Sequence, residues 1–259
     1  MKQAILVISF GTSYKETREK NIGAIEKAIQ NAFPKYEVRR AFTSGMIIKI
    51  LKKQGIMVDT VEQALARLKE EGFQRVICQP THIMHGFEYD GIVAAAAPFQ
   101  KQFDQLIVGT PLLSAQEDYK QAVQTLEELV PREPGDALVL MGHGTGHPAN
   151  ACYAALEYAF HDAGYKNVFV GTVEGYPDLE AVKRRLRESG AQRVFLTPFM
   201  VVFGDHAAND MAGDEEDSWK KQLEKEGCRV QILLKGLGEY PGIVNQYVQH
   251  TAAAAEQLG

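Results

Sequence analysis

The feature that most constrains the fold of this chain is an internal repeat. The segment EEGFQRVICQPTHIMHGFE, which begins at Glu70, can be laid on ESGAQRVFLTPFMVVFGDH, which begins at Glu188. A second, weaker match joins AILVISFGTS near the start to DALVLMGHGTG after the middle. We therefore predict two similar domains that arose by duplication. The alignment pairs Phe10 with His143, Ser44 with Glu174, and Glu88 with His206.

Each half contains four short apolar runs separated by stretches with helical spacing. Runs that are apolar almost throughout and alternate with helices indicate parallel sheets covered on both faces. The runs are 4–10, 37–44, 75–83 and 105–113, then 136–142, 167–173, 193–202 and 229–234. We predict an α/β fold of two doubly wound parallel-sheet domains, 1–130 and 131–259. They meet at the proline- and glycine-rich VPREPGDA, with a ligand cleft between them.

Composition narrows the function classes. A net charge of -5 argues against a general nucleic-acid binder, which needs a basic surface. The three cysteines lie far apart and form no C-x-x-C pair, which is typical of a reducing compartment and gives no thiolate metal site. No apolar run is long enough to span a membrane, and no leader precedes the first strand. These features predict a cytoplasmic protein without membrane partners.

Four polar side chains follow predicted strands, at the sheet edge where α/β proteins bind ligands. They are His143, Glu174, His206 and Glu88. Two imidazoles with one or two carboxylates can hold a divalent transition metal and leave coordination positions open. Each residue also has a simpler interpretation: His143 and His206 as loop residues, and Glu174 as a helix cap. Asp178 is better placed to cap that helix, and the coincidence of several residues at one edge favours a site.

The loop SFGTSYKET resembles an anion-binding turn between strand and helix. It lacks the G-x-G-x-x-G and P-loop patterns, so no nucleotide is expected. The hydroxyl groups of this loop can instead bind the carboxylates of a substrate, and His82 is predicted to line the cleft. We assign substrate binding to Phe10, Gly11, Thr12, Ser13 and His82.

The motifs SFGTS, QPTHIMHGFEYD, MGHGTGHPAN, GTVEGYPD and TPFMVVFGDHAANDMAGD resemble those of the class II chelatases, and among them the anaerobic sirohydrochlorin cobaltochelatases of the CbiK type. The resemblance covers nearly the whole chain. It implies insertion of Co²⁺, the substrate metal, into sirohydrochlorin without ATP or an organic cofactor, in the anaerobic cobalamin pathway.

The resemblance also implies residue roles. His143 and His206 would bind the metal and accept protons, and Glu174 and Glu88 would complete the site. Relatives can carry an extra acidic residue beside the position of Glu88, where this chain has Phe87. Two alternatives stay open: a ferrochelatase acting on sirohydrochlorin or a porphyrin, and a tetrapyrrole- or metal-binding protein without catalysis. The sequence leaves a homo-oligomer open.

Overall fold

The computed structural model describes residues 1–202 and 204–258, without the side chains of 205–207. It contains two sheets of four parallel strands each, in the orders β2-β1-β3-β4 and β6-β5-β7-β8. Within the described residues no helix is both long and apolar enough to cross a membrane. The strands are β1 (Gln3–Ser9), β2 (Glu37–Phe42), β3 (Arg75–Pro80), β4 (Gln105–Val108), β5 (Asp136–Gly142), β6 (Val168–Thr172), β7 (Arg193–Pro198) and β8 (Arg229–Ile232).

Helices separate the strands throughout. They are α1 (Lys15–Thr17), α2 (Gly23–Ala32), α3 (Gly45–Lys53), α4 (Val61–Glu70), α5 (Phe87–Ala96), α6 (Gln116–Leu126), α7 (Ala151–Asp162), α8 (Leu179–Ser189), α9 (Asp205–Ala212), α10 (Trp219–Lys225) and α11 (Pro241–Glu256). Shorter turns are π-helical at Arg18–Ile22 and 3₁₀ at Ala97–Phe99, Glu127–Leu129, Pro148–Asn150 and Leu237–Glu239. The fold class and all eight strands are confirmed. Several predicted strands are longer than the observed ones, because apolar residues of the following loop were included in them.

Both faces of each sheet are buried, which explains the unbroken apolar strands. In β1, Leu6 and Ile8 belong to a core that includes α4 and α5 residues, and the intervening Ile5 and Val7 are equally inaccessible. Helices α2 and α11 pack together, and α11 also contacts β3. In the second sheet, β5 forms a core with α8 and α10, while α7 packs on β6.

The order of the strands creates a switch point in each sheet. In the first sheet, β2 lies on one side of β1 and β3 on the other, and in the second sheet β6 and β7 flank β5 in the same way. The carboxyl ends of β1 and β3 therefore lie side by side, as do those of β5 and β7. Open α/β sheets bind ligands at such points. The N–H of Thr81 donates to the Ile8 carbonyl (2.8 Å), and the N–H of Phe199 donates to the Met141 carbonyl (2.7 Å).

The predicted repeat extends to individual backbone hydrogen bonds. The N–H of Ser44 donates to the carbonyl of Phe10 (3.2 Å), and the N–H of Glu174 donates to that of His143 (2.8 Å). Gly86 and Gly204 each precede a helix in the same extended conformation. Glu88 and His206 are therefore the second residues of matching helices. The alignment made from sequence is confirmed at these positions.

The chain divides into two compact units that differ from the predicted halves. The first unit comprises Met1–Ser114 and Pro241–Gly259, and the second comprises Ala115–Tyr240. The cause is an exchange of helices: α6, which follows the last strand of the first sheet, packs on α7, whereas α11, which follows the last strand of the second sheet, packs on α2. The polar segment chosen as a boundary at 130/131 thus lies inside the second unit. The cleft stays a prediction.

Candidate functional site

The carboxyl end of β5 presents His143. Gly142, the last residue of the strand, is buried against the ring of Tyr153, and a Cβ there would collide with that ring. His143 comes next, and 53% of its side chain is exposed. The apolar strand β5 therefore ends in a buried glycine, which is followed directly by an exposed imidazole.

Glu174 lies beside His143 in the loop after β6. Its Oε2 is 3.7 Å from Nδ1 of His143, and 65% of its side chain is exposed. The backbone bond between these residues holds the two loops in register. Asp178 caps α8, since its carboxylate accepts the N–H of Ala181 at 2.9 Å. Glu174 is therefore not the cap of that helix, and its carboxylate is left at the sheet edge.

The contacts of the His143 ring define its tautomer. Nδ1 lies 3.1 Å from the carbonyl oxygen of Gly144. A carbonyl oxygen can only accept a hydrogen bond, so Nδ1 of the neutral ring carries the proton. The lone pair is consequently on Nε2. This is the arrangement that metal-binding histidines generally use, with one nitrogen donating to the protein and the other available to a metal.

Two side chains that sequence reasoning missed support this loop. Asn150 accepts the N–H of Thr145 (2.9 Å) and donates to the carbonyl of Tyr176 (2.5 Å), which joins the loops after β5 and β6. The hydroxyl of Tyr153 accepts the Gly144 N–H at 3.5 Å, and burial raises the pKa of this phenol. Asn150 ends the motif MGHGTGHPAN and was visible in sequence as part of it. Tyr153 gave no signal, because its role depends on packing against Gly142.

His206 is placed only by the backbone. It is the second residue of α9, which follows the carboxyl end of β7, next to β5. Its side chain lies outside the described residues. Among the described side chains, no three His, Cys, Asp or Glu residues form a cluster that could hold a metal ion. The structure thus brings together two of the three predicted metal ligands, His143 and Glu174, and convergence with the third stays a prediction.

The matching edge of the first unit carries Glu88 and His82. Glu88 lies in the first turn of α5 with 49% of its side chain exposed, and its Oε2 is 4.0 Å from Nε2 of His82. His82 is 10% exposed, and burial lowers its pKa to about 4 although the nearby Glu88 carboxylate opposes the shift. His82 is therefore neutral near pH 7. Sequence reasoning did not find this pair.

The loop predicted to bind substrate is braced from within. Phe10 is 47% exposed, but Gly11 and Thr12 are buried. The hydroxyl of Thr12 accepts the N–H of Tyr14 at 3.3 Å. The buried Arg18 guanidinium donates to the carbonyl of Thr12 (3.1 Å) and to that of Ser13 (3.3 Å), and burial lowers its pKa. Of Phe10, Gly11 and Thr12, only Phe10 is exposed to a ligand.

Four other histidines are engaged in local structure. Nε2 of His85 lies 2.9 Å from Oγ of Ser114, and Nδ1 of His147 accepts the N–H of Ala149 at the start of a 3₁₀ turn. His161 and His250 bond to backbone carbonyl oxygens at 2.8 and 3.3 Å. All four side chains are half-buried, whereas His143 is exposed.

The fold has a clear counterpart among solved structures. The SirB protein from Bacillus subtilis, solved with Fe³⁺, superposes with a TM-score of 0.69 at 17% identity, covering 100% of this chain and 98% of the other. At that identity the likeness concerns the fold alone.

Sequence comparison then gives the family. The model of the family described as cobalt chelatase (CbiK) matches residues 3–256, so the chain belongs to this family. The sirohydrochlorin cobaltochelatase of Salmonella typhimurium is 43% identical over 252 residues, covering 96% of this chain and 95% of its own length. The sirohydrochlorin cobaltochelatase CbiKC of Nitratidesulfovibrio vulgaris is 34% identical over 261 residues, covering 99% and 92%. The expected family membership is confirmed.

Proposed function

We propose that this protein inserts Co²⁺ into sirohydrochlorin. Family membership and the two cobaltochelatase relatives support the reaction and the substrates. The observation that carries the proposal in this chain is the His143–Glu174 pair, with an exposed imidazole whose lone pair is on Nε2. The metal is a substrate, taken up and passed to the macrocycle.

The reaction requires bases as well as a metal-binding group. Insertion of Co²⁺ replaces two pyrrole N–H protons, which must leave the macrocycle. Histidine accepts protons near neutral pH and is a good ligand for Co²⁺ when neutral. Nε2 of His143 would bind the ion or take a proton. Glu174 lies 3.7 Å from Nδ1, so its carboxylate would orient the ring, and it is also one of the predicted metal ligands.

The remaining predicted residues take complementary roles in this proposal. His206 would be the second histidine of the metal site. Glu88 would relay a proton, and its half-exposed carboxylate in the first turn of α5 is accessible for that purpose. Phe10 would contact the macrocycle, with Gly11, Thr12 and Ser13 shaping the loop behind it.

The finer features of the function belong to the same proposal. Insertion would need neither a nucleotide nor an organic cofactor and would serve anaerobic cobalamin biosynthesis. We place the reaction in the cytoplasm, because all three cysteines are buried thiols outside any disulfide, as is common in reducing compartments. The proposal applies to a monomer or a homo-oligomer alike.

The test is anaerobic incubation with sirohydrochlorin and Co²⁺, Fe²⁺, Ni²⁺ or Zn²⁺, with product spectra recorded over time. We expect turnover with Co²⁺ in the wild type. His143→Ala and His206→Ala should lose Co²⁺ insertion while their far-ultraviolet circular dichroism spectra stay unchanged. His147→Ala is the matched control, because that imidazole lies in the same loop and accepts the Ala149 N–H. Preference for Fe²⁺ would indicate a ferrochelatase, and one-to-one binding without turnover would indicate a binding protein.

A further inference from the structure

His82 is a buried imidazole whose polar groups are unsatisfied. It follows β3, and its side chain is 10% exposed. Neither Nδ1 nor Nε2 has a hydrogen-bond partner among the described residues. Only its backbone is engaged: the carbonyl accepts the N–H of Leu112 at 2.9 Å and lies 3.4 Å from the hydroxyl of Tyr247. The side chain therefore contributes a donor and an acceptor that the protein does not use for its own fold.

Such a residue is unfavourable for stability. A buried polar group without a partner loses its hydrogen bonds to water and gains nothing in return. The lowered pKa of His82 reflects the same burial. An apolar side chain of similar size would fit the surroundings better.

The duplicated unit shows that the backbone does not require histidine here. The repeat register places Met200 opposite His82. The Met200 carbonyl accepts the N–H of Leu237 at 2.8 Å, as the His82 carbonyl accepts that of Leu112. The same backbone arrangement thus forms around an apolar residue. The fold therefore does not require an imidazole at this position.

The neighbour that can use the imidazole is Glu88. Its Oε2 lies 4.0 Å from Nε2 of His82, just beyond a hydrogen bond, and its side chain reaches from the buried imidazole to solvent. We propose that His82 is a positioning residue, which donates a hydrogen bond from Nε2 to the Glu88 carboxylate during catalysis and holds it in place to receive a proton. This inference rests on the proposed function and adds to it a residue that acts without touching the metal.

Four variants test the inference: His82→Leu, His82→Gln, Glu88→Gln, and the double variant His82→Leu/Glu88→Gln. Leucine fills the space without polar atoms, and glutamine restores an N–H donor at nearly the position of Nε2. The readouts are Tm, and kcat and KM for Co²⁺ insertion. We expect His82→Leu to raise Tm by about 2–4 °C, because an unsatisfied group is removed. We expect its kcat to fall roughly tenfold to a hundredfold, with KM unchanged.

Rescue and coupling complete the test. His82→Gln should recover most of kcat, and His82→Leu should cause no further loss in the Glu88→Gln background. His85→Gln is the control: this half-buried imidazole is bonded to Ser114, so its replacement should lower Tm and leave kcat unchanged.

Three results would overturn the inference while leaving the proposed function intact. A fall in both Tm and kcat for His82→Leu without rescue by glutamine would mean a structural role. An increase in KM alone would mean direct contact with substrate, and equal losses in both backgrounds would mean that His82 acts independently of Glu88. A wild-type protein that does not insert Co²⁺ would overturn the proposed function together with this inference.

Discussion

At the scale of single residues, the carbonyl of Gly144 sets which nitrogen of the neutral His143 ring carries the proton. It accepts from Nδ1, so Nε2 is left with the lone pair. Glu174 reinforces this choice because it stands 3.7 Å from the same Nδ1. The sequence predicted both residues from their places after strands, but a hydrogen bond to a neighbouring carbonyl depends on the loop conformation, which no residue pattern specifies.

Replacement of Glu174 should separate catalysis from stability. Glu174→Gln removes the charge that orients His143, and we expect Co²⁺ insertion to fall by about 10–100-fold at unchanged Tm. Asp178→Ala removes the cap of α8 and should cost about 1 kcal/mol of unfolding free energy, with little loss of insertion. Urea unfolding and initial rates on both variants provide the measurement. A lower Tm with unchanged Co²⁺ insertion in Glu174→Gln would indicate that Glu174 has a structural role.

Burial of His82 should make stability depend on pH. Its pKa is lowered from 6.5 to about 4 in the folded protein and returns to the ordinary value on unfolding. As pH falls through 6.5, the unfolded chain takes up the proton first, so unfolding is favoured. We expect stability to decline between about pH 6.5 and pH 4, by up to about 3 kcal/mol, and this group to add no further loss below pH 4.

Urea unfolding of the wild type and His82→Leu across that range isolates this contribution. The wild type should lose its stability more steeply than the variant. Two parallel pH profiles would show that the imidazole is not held neutral.

At the scale of elements, the loops after β5 and β6 are fixed by close backbone packing. Gly144 has φ +81°, and a Cβ there would lie 2.7 Å from the backbone nitrogen of Gly175. The side chain of Asn150 occupies the space beside Gly175. The sequence predicted the strands and helices well, because apolar periodicity and capping residues are local signals. It could not show this interlocking of two loops that are distant in the chain.

A pair of glycine substitutions tests that packing. Gly144→Ala forces an alanine into left-handed backbone and against Gly175, so we expect a loss of at least about 1–2 kcal/mol in stability. Co²⁺ insertion should fall with it, because the His143 carbonyl and ring move with the loop. Gly146→Ala is the control in the same loop, since nothing lies within 4 Å of its added Cβ. Equal behaviour of the two variants in thermal unfolding and rate assays would contradict the interpretation.

At the scale of the whole molecule, the exchange of α6 and α11 sets the true division of the chain. Tyr247 of α11 is fully buried, and its hydroxyl donates to the Thr81 carbonyl at 2.9 Å. Gln246 donates to the Leu112 carbonyl at 3.0 Å. The duplication was readable from sequence, whereas the helix exchange was not, because both helices have the same amphipathic relation to a sheet and nothing local specifies which sheet they cover.

Separate halves should therefore fail to fold alone. A fragment of residues 1–130 lacks α11, which covers α2 and β3, and a fragment of 131–259 lacks α6, which packs on α7. We expect each fragment alone to lack a cooperative unfolding transition and a mixture to regain one. Thermal unfolding followed by circular dichroism, on each fragment and on their mixture, tests this expectation. A cooperative transition in either isolated fragment would contradict the helix exchange.

The shared backbone register of the two units has a consequence for redesign. One copy of the scaffold carries His143, Glu174 and His206, and the other offers Phe10, Ser44 and Glu88 at equivalent places. Three substitutions, Phe10→His, Ser44→Glu and Glu88→His, would place the residue types of the three predicted metal ligands at the equivalent positions of the first unit. The repeat thus offers a template for a variant with two candidate metal sites, in which one unit is engineered while the other is left untouched.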